Sequence, residues 1–273
     1  MVDIALDPNM YYRSMSTADT LRKAADLGFR YVELSLNEEF HFWHRYPKAD
    51  DAFVTEMRKA VRETGVTIRT LNPVFNWSSP DEAERRNQVR NWRRLLELAD
   101  QLDVHEITSE FSGDPNSPRE CEAAWYRSIE ELASSFERYG IRLNMEAHPY
   151  DFIELHDDAY RTVRGTNLDW VSYEYCCPHT FHLSNGAGDV RRMIHGCADR
   201  LREVHVADAF NHAAHDGNST SSIHHVPMCE CINTMKSVSV MCPLTTCSKP
   251  CVTSVLMVLC RCVSLVGTRE LMR

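Results

Sequence analysis

Residues 141–150 read IRLNMEAHPY. An apolar, strand-like run ends in a carboxylate and an imidazole two positions apart. Period two puts Glu146 and His148 on one face of an extended chain. A lone buried carboxylate is expensive, so a partner is implied. The run is one of seven. Short stretches rich in β-branched residues also stand at IAL (4–6), YVELSL (31–36), VTIRTL (66–71), VHEIT (104–108), WVSYEY (170–175) and EVHVAD (203–208).

Helical spacing fills the intervals. In TADTLRKAADLG (17–28), Leu21, Ala24, Ala25 and Leu27 form an apolar stripe and Gly28 supplies a stop. DDAFVTEMRKAVRETG (50–65) ends in the same way at Gly65. The segment from Ser79 has a Ser-Pro start and an acidic first turn. From Ser117 onward Trp125, Ile129, Leu132 and Phe136 share a face, and Gly140 closes the segment. Seven β-α units without a long polar linker predict one α/β domain with a parallel sheet. Seven units approaching an eighth favour a (β/α)8 TIM barrel over a doubly wound sheet. DPNMYY, not a glycine-rich turn, follows the first strand, which argues against a dinucleotide fold.

Bulk composition narrows the function classes. The 273 residues are 43% hydrophobic and 25% charged, with a formal charge of -9, so nothing favours nucleic acid or anionic membrane as partner. The apolar run VLMVLC (255–260) is short for a membrane span and is followed by Arg261. The chain is therefore read as cytoplasmic. Cysteine is uneven: four of eleven lie in residues 1–227 and seven in 228–273. That last segment has no Asp, Ala, Phe, Tyr or Trp, and its acidic residues are Glu230 and Glu270. We divide the chain into a barrel, 1–217, and an atypical Cys/Val-rich tail, 218–273, whose composition is what translation out of frame near 218–228 produces. The eighth unit is accordingly expected to be atypical or incomplete.

In a βα barrel the active site sits at the carboxyl ends of the strands. Asp7, Glu33, Asn72, Ser109, Glu110, Glu146 and His148 fall there, as do PHTFH (178–182), His205 and Asp208. Glu146, His179 and His205 can converge from three strands on one divalent ion, and two imidazoles with a carboxylate suit Mn, Co, Fe or Zn. His182 or Glu174 is a further ligand or a substrate contact. Glu33 reads equally well as a solvated strand-end charge. Trp43 and Trp77, in the loops after the second and third strands, can stack on a sugar face or pack on the barrel rim.

These segments resemble the xylose-isomerase-like TIM-barrel superfamily, in particular sugar phosphate isomerases/epimerases. The resemblance rests on IALDP, YVELS, SSPDEAERRNQVRNW, SEFSGDP, NMEAHPYDF, YCCPHTFH and REVHVADAFNH, and it covers about residues 2–217. It is nearest to the group containing the catalytic α subunits of C-glycoside deglycosidases, where an EPHP-like sequence occupies the place of Glu146-Ala147-His148-Pro149. The resemblance implies a metal held by Glu146, His179 and His205, with manganese first among the candidate ions. It also implies His148 as base, and His182 as a ligand to metal or substrate. Glu110, Trp43, Trp77 and Asp208 are expected at the substrate. The fourth ligand, a carboxylate in the eighth strand, is missing from the sequence. The implied chemistry is proton abstraction beside a sugar carbonyl through an enediolate. Alternatives are cleavage of a 3-keto C-glycoside, or an impaired relative lacking the fourth ligand. Abasic-site endonucleases share the superfamily, but residues 1–227 carry 25 basic against 37 acidic side chains. A homo-oligomer or a small β-rich partner subunit is implied by the resemblance alone.

Overall fold

A computed structural model describes residues 3–12, 14–35, 49–183, 188–206 and 263–266, with the backbone alone for 181, 182 and 263–266. Its strands are β1 (Asp3–Leu6), β2 (Tyr31–Ser35), β3 (Thr67–Asn72), β4 (Glu106–Glu110), β5 (Arg142–Glu146), β6 (Val171–Cys176), β7 (Leu201–Val206) and β8 (Val263–Val266). They form a closed barrel in sequential order. β1 to β7 are parallel to one another, as the alternation of strand and helix predicts. β8 runs antiparallel to both β1 and β7. The eighth unit is thus atypical in direction. Apart from Val263–Val266, the tail lies outside the described residues.

The connecting helices are α1 (Thr17–Asp26), α2 (Asp51–Thr64), α3 (Glu82–Gln101), α4 (Pro118–Tyr139), α5 (His156–Gly165), α6 (Cys177–Leu183) and α7 (Val190–Gly196). Their ends follow local chemistry. The Ser16 hydroxyl accepts from the Asp19 amide and the Asp50 carboxylate from the Phe53 amide, each satisfying an orphan first-turn donor. Gly65 and Gly140 stop α2 and α4 in the left-handed region, at φ of 70° and 63°. The start of α3 differs from the sequence expectation. Asp81, not Ser79, caps it, accepting from the Ala83 and Glu84 amides. Ser79 instead donates to the Glu84 carboxylate at 2.6 Å.

Outside the sheet, aromatic side chains fill the layer between α3 and α4. The Trp77 ring lies 4.7 Å from Trp92 and 6.0 Å from Trp125, and Phe136 stacks on Trp170 at 4.6 Å. Gly113 follows β4, and a Cβ there would meet Ser78 Oγ, Cys121 Sγ and Phe152 Cδ1, each at 3.0 Å. Among the described residues no helix is long and apolar enough to cross a membrane.

Candidate metal centre

Register carries the acidic residues to one place. Glu110 lies beside Glu146, Glu146 beside Glu174, and Glu174 beside Glu203 on successive strands β4 to β7. In-register neighbours of parallel strands share a face, so these four form a row inside the barrel. All four are buried, together with Asp7 and Glu33. Glu203 ends up on the floor, accepting from Thr108 Oγ1 at 2.9 Å, Asn144 Nδ2 at 3.2 Å and Thr70 Oγ1 at 3.3 Å. Burial, then Glu33 and Glu174, raise its pKa well above the ordinary carboxylate value.

Two imidazoles meet this row. His179, from α6, places Nδ1 2.9 Å from Glu146 Oε1, and His205, from β7, places Nδ1 3.8 Å from the same oxygen. His205 Nδ1 also touches Glu174 Oε1, while its Nε2 lies 3.0 Å from Glu33 Oε1. Burial opposes charge on His205, but Glu174 and Glu33 outweigh it and hold the imidazolium well above its ordinary pKa. Burial likewise works against ionised Glu146, yet His179 and His205 outweigh it and hold its pKa well down. Burial pushes Glu174 up to about 8, with His205 opposing and Glu146 adding to the rise. Burial and Glu33 push Asp7 up to about 7 against hydrogen bonds from Ser35 and the Asn9 amide.

His205 Nε2 is hydrogen-bonded to Glu33 Oε2 at 3.1 Å, but Glu146 Oε1, both oxygens of Glu174 and His179 Nδ1 are buried without a well-formed hydrogen bond. Orphaned polar atoms of this kind call for an explanation, an ion among them. Glu146, Glu174 and His205 present donor atoms mutually within 4.8 Å, and so do Glu146, Cys176 and His179. The donor set fits a divalent cation. Glu146 belongs to both groups, so the three expected ligands meet around one carboxylate oxygen.

His148 stands beside them. Its Nδ1 lies 2.8 Å from the Pro149 carbonyl, which only accepts, so Nδ1 carries the proton and Nε2 the lone pair. Nε2 has no hydrogen-bond partner and is 3.7 Å from Glu110 Oε1; Asp151 Oδ2 is 3.9 Å from Nδ1. The His148 and His179 rings meet edge-on at 4.4 Å. Burial and His179 lower His148 to about 3, which keeps it neutral.

Other expected site residues fare differently. Trp77 is fully buried in the α3–α4 layer, packed on Trp92 and Trp125, and so presents no face to a sugar. The rim-packing reading of its loop wins, because three indoles bury more apolar area together than one does over a pocket. Trp43, Asp208 and the side chain of His182 lie outside the described residues. Sequence reasoning passed over Cys176, Glu203 and Asp151, and weighed Glu33 as a solvated charge, whereas Glu33 is buried against His205. Period two held the missing signal. It links Glu174 to Cys176 and His205 back to Glu203.

A closed barrel with imidazoles and carboxylates gathered at the carboxyl ends of its strands is a candidate metal centre on a TIM-barrel fold, and comparison places the fold. The xylose isomerase-like TIM barrel family model matches residues 21–238, and the chain belongs to that family. The match runs beyond residue 217, into the compositionally distinct tail. Among solved structures, a 3-keto-D-glucoside 4-epimerase from E. coli is 20% identical with a TM-score of 0.58, covering 70% of this chain and 73% of its own. A D-psicose 3-epimerase crystallised with D-fructose is 21% identical with a TM-score of 0.58, covering 71% and 69%. A xylose isomerase-like protein from Mycobacterium smegmatis, in complex with magnesium, is 16% identical with a TM-score of 0.60, covering 76% and 75%. At such identities the likeness is one of fold. Curated protein sequences give no match.

Proposed function

We propose that this chain is a divalent-metal-dependent sugar isomerase or epimerase that removes a proton from the carbon next to a carbonyl. One observation carries the reading. Glu146 Oε1 is buried and orphaned, with His179 and His205 both facing it. Glu146, His179 and His205 would hold the ion, with Glu174 beside them. The ion is of the Mn, Co, Fe or Zn kind, and when bound it would supply Lewis-acid polarisation of the substrate carbonyl. Two of the fold neighbours named above are sugar epimerases, which supports a small sugar as substrate.

The chain's own residues supply the proton chemistry. His148 accepts the proton at Nε2, because Nδ1 is committed to the Pro149 carbonyl. Glu110 lies 3.7 Å from Nε2, where the proton arrives, and Asp151 lies 3.9 Å from Nδ1. Return of that proton to the adjacent carbon gives the isomer; the epimer needs a proton from a second acid on the opposite face, with His148 keeping the proton it removed. Burial of His148, His179 and Glu146 excludes water while the carbanion exists.

The test pairs metal analysis with isotope exchange. Protein purified without chelator should contain about one equivalent of divalent metal. It should also exchange solvent deuterium into the carbon next to the carbonyl of a ketose. A preparation that neither holds nor takes up a divalent ion would overturn the reading.

A further inference from the structure

We propose that Cys176 is a ligand of the same metal, giving the centre a thiolate beside its carboxylate and imidazoles. This rests on the metal-site reading above and narrows it to a class of ion. Cys176 is the last residue of β6, two positions beyond Glu174, so both side chains face the barrel interior. It lies in register beside His205 on β7. Its thiol is buried, free of any disulfide, and offers a sulfur mutually within 4.8 Å of donor atoms from Glu146 and His179.

The atoms it faces are themselves open to a ligand. Glu146 Oε1 and His179 Nδ1 are buried, 2.9 Å apart, and without hydrogen bonds. Strand β8, which completes the ring, reads Val263-Ser264-Leu265-Val266 and brings no carboxylate, imidazole or thiol. Among the described residues the donors next to Glu146 come from β6, β7 and α6, and the softest of them is sulfur. A thiolate shifts preference from magnesium and manganese toward zinc, cobalt or iron. Glu146, Cys176, His179 and His205 would then be the centre's protein donors, and a substrate oxygen would join them as a further ligand.

Cobalt substitution tests this without any assay of turnover. The full-length protein is stripped with chelator, loaded with Co(II), and compared with Cys176→Ser and Glu146→Gln. The wild type should show an intense thiolate-to-cobalt charge-transfer absorption in the near ultraviolet. Cys176→Ser should lose that band while the seven tail cysteines remain. Deleting even an outer partner of a metal ligand costs about 10–100-fold in affinity, so Cys176→Ser should bind cobalt at least about 100-fold more weakly. Zinc should displace manganese from the wild type and discriminate less in the variant. If Cys176→Ser unfolds by circular dichroism, X-ray absorption at the zinc edge of the wild type replaces it, with one sulfur expected at about 2.3 Å.

The outcomes separate the two claims. Cobalt bound in a Glu146-dependent manner with no thiolate band, or with a band that survives Cys176→Ser, overturns the cysteine ligand and leaves the metal site standing. Cobalt uptake identical in wild type and Glu146→Gln overturns both.

Discussion

Raising the pH of the metal-free protein should destabilise it, and Glu174 fixes the size of the effect. The Glu174 carboxyl is fully buried and its pKa is pushed from 4.5 up to about 8. A carboxyl raised in the folded state keeps its proton there while the unfolded chain loses it. Stability therefore falls as pH climbs from the unfolded value toward the folded one. Between about pH 6.5 and 8 this one group removes about 1.5 kcal/mol. Asp7, raised from 3.8 to about 7, acts with the same sign, as does His205, whose stabilising charge is lost at high pH. His148, lowered from 6.5 to about 3, has the opposite sign, but its contribution is nearly complete above 6.5. For a chain of this size, about 1.5 kcal/mol corresponds to a fall of roughly 3–6 °C in Tm. Calorimetry in the presence of chelator at the two pH values reads it directly. Glu174→Gln should lose its own share, about 1.5 kcal/mol, and leave that of Asp7 and His205. Metal-loaded protein should also lose the Glu174 share, because binding has already displaced the protons. A metal-free Tm that holds steady or rises over this interval, or an unchanged slope in Glu174→Gln, would refute the account of the buried row.

His148→Ala removes the Nε2 lone pair and should abolish proton exchange while metal content stays near the wild-type level; retained exchange would sink its role as base. Trp92→Ala opens a cavity where Phe75, Trp77 and Phe136 now pack, and should cost about 3–5 kcal/mol by urea denaturation. Gly113→Ala forces a methyl to 3.0 Å from Ser78, Cys121 and Phe152 and should cost about 1–3 kcal/mol; no loss of stability would mean these neighbours yield more freely than their packing implies. Saturating metal at about 100 times its Kd should add about 2.7 kcal/mol to the wild type, measured as a concentration-dependent Tm, and little to Glu146→Gln.

The fold was legible because the units repeat. Each strand from β1 to β7 overlaps an apolar run in the sequence, and the stops at Gly65 and Gly140 follow from their left-handed conformation. The direction of β8 was not legible, since VSLV carries no signal that tells parallel from antiparallel pairing. At the site, Glu146 and His148 announced themselves as charged or polar groups ending an apolar run. Glu33 and Glu203 did not, because a carboxylate inside a strand reads as solvent-facing until its neighbours are known. Thr70, Thr108 and Asn144, which satisfy Glu203, lie 59 to 133 positions away from it. Trp77 was misplaced for a related reason. Its loop position suggests a rim, but what decides its burial is Trp125, on a helix that begins after the next strand.

The aromatic layer between α3 and α4 has a practical optical consequence. Of the chain's five tryptophans, Trp77, Trp92 and Trp125 form one contiguous cluster, and Trp170 joins its edge through Phe136. Excitation energy passes readily among rings at such separations, so these four behave as a coupled set, with Trp77, Trp92 and Trp125 buried and Trp170 half-buried. Their emission should be blue-shifted in the native protein and move to the red when the α3–α4 quadrant opens. Intrinsic fluorescence is therefore a probe of one side of the barrel, and an unfolding curve followed by it reports the fate of that side before any other.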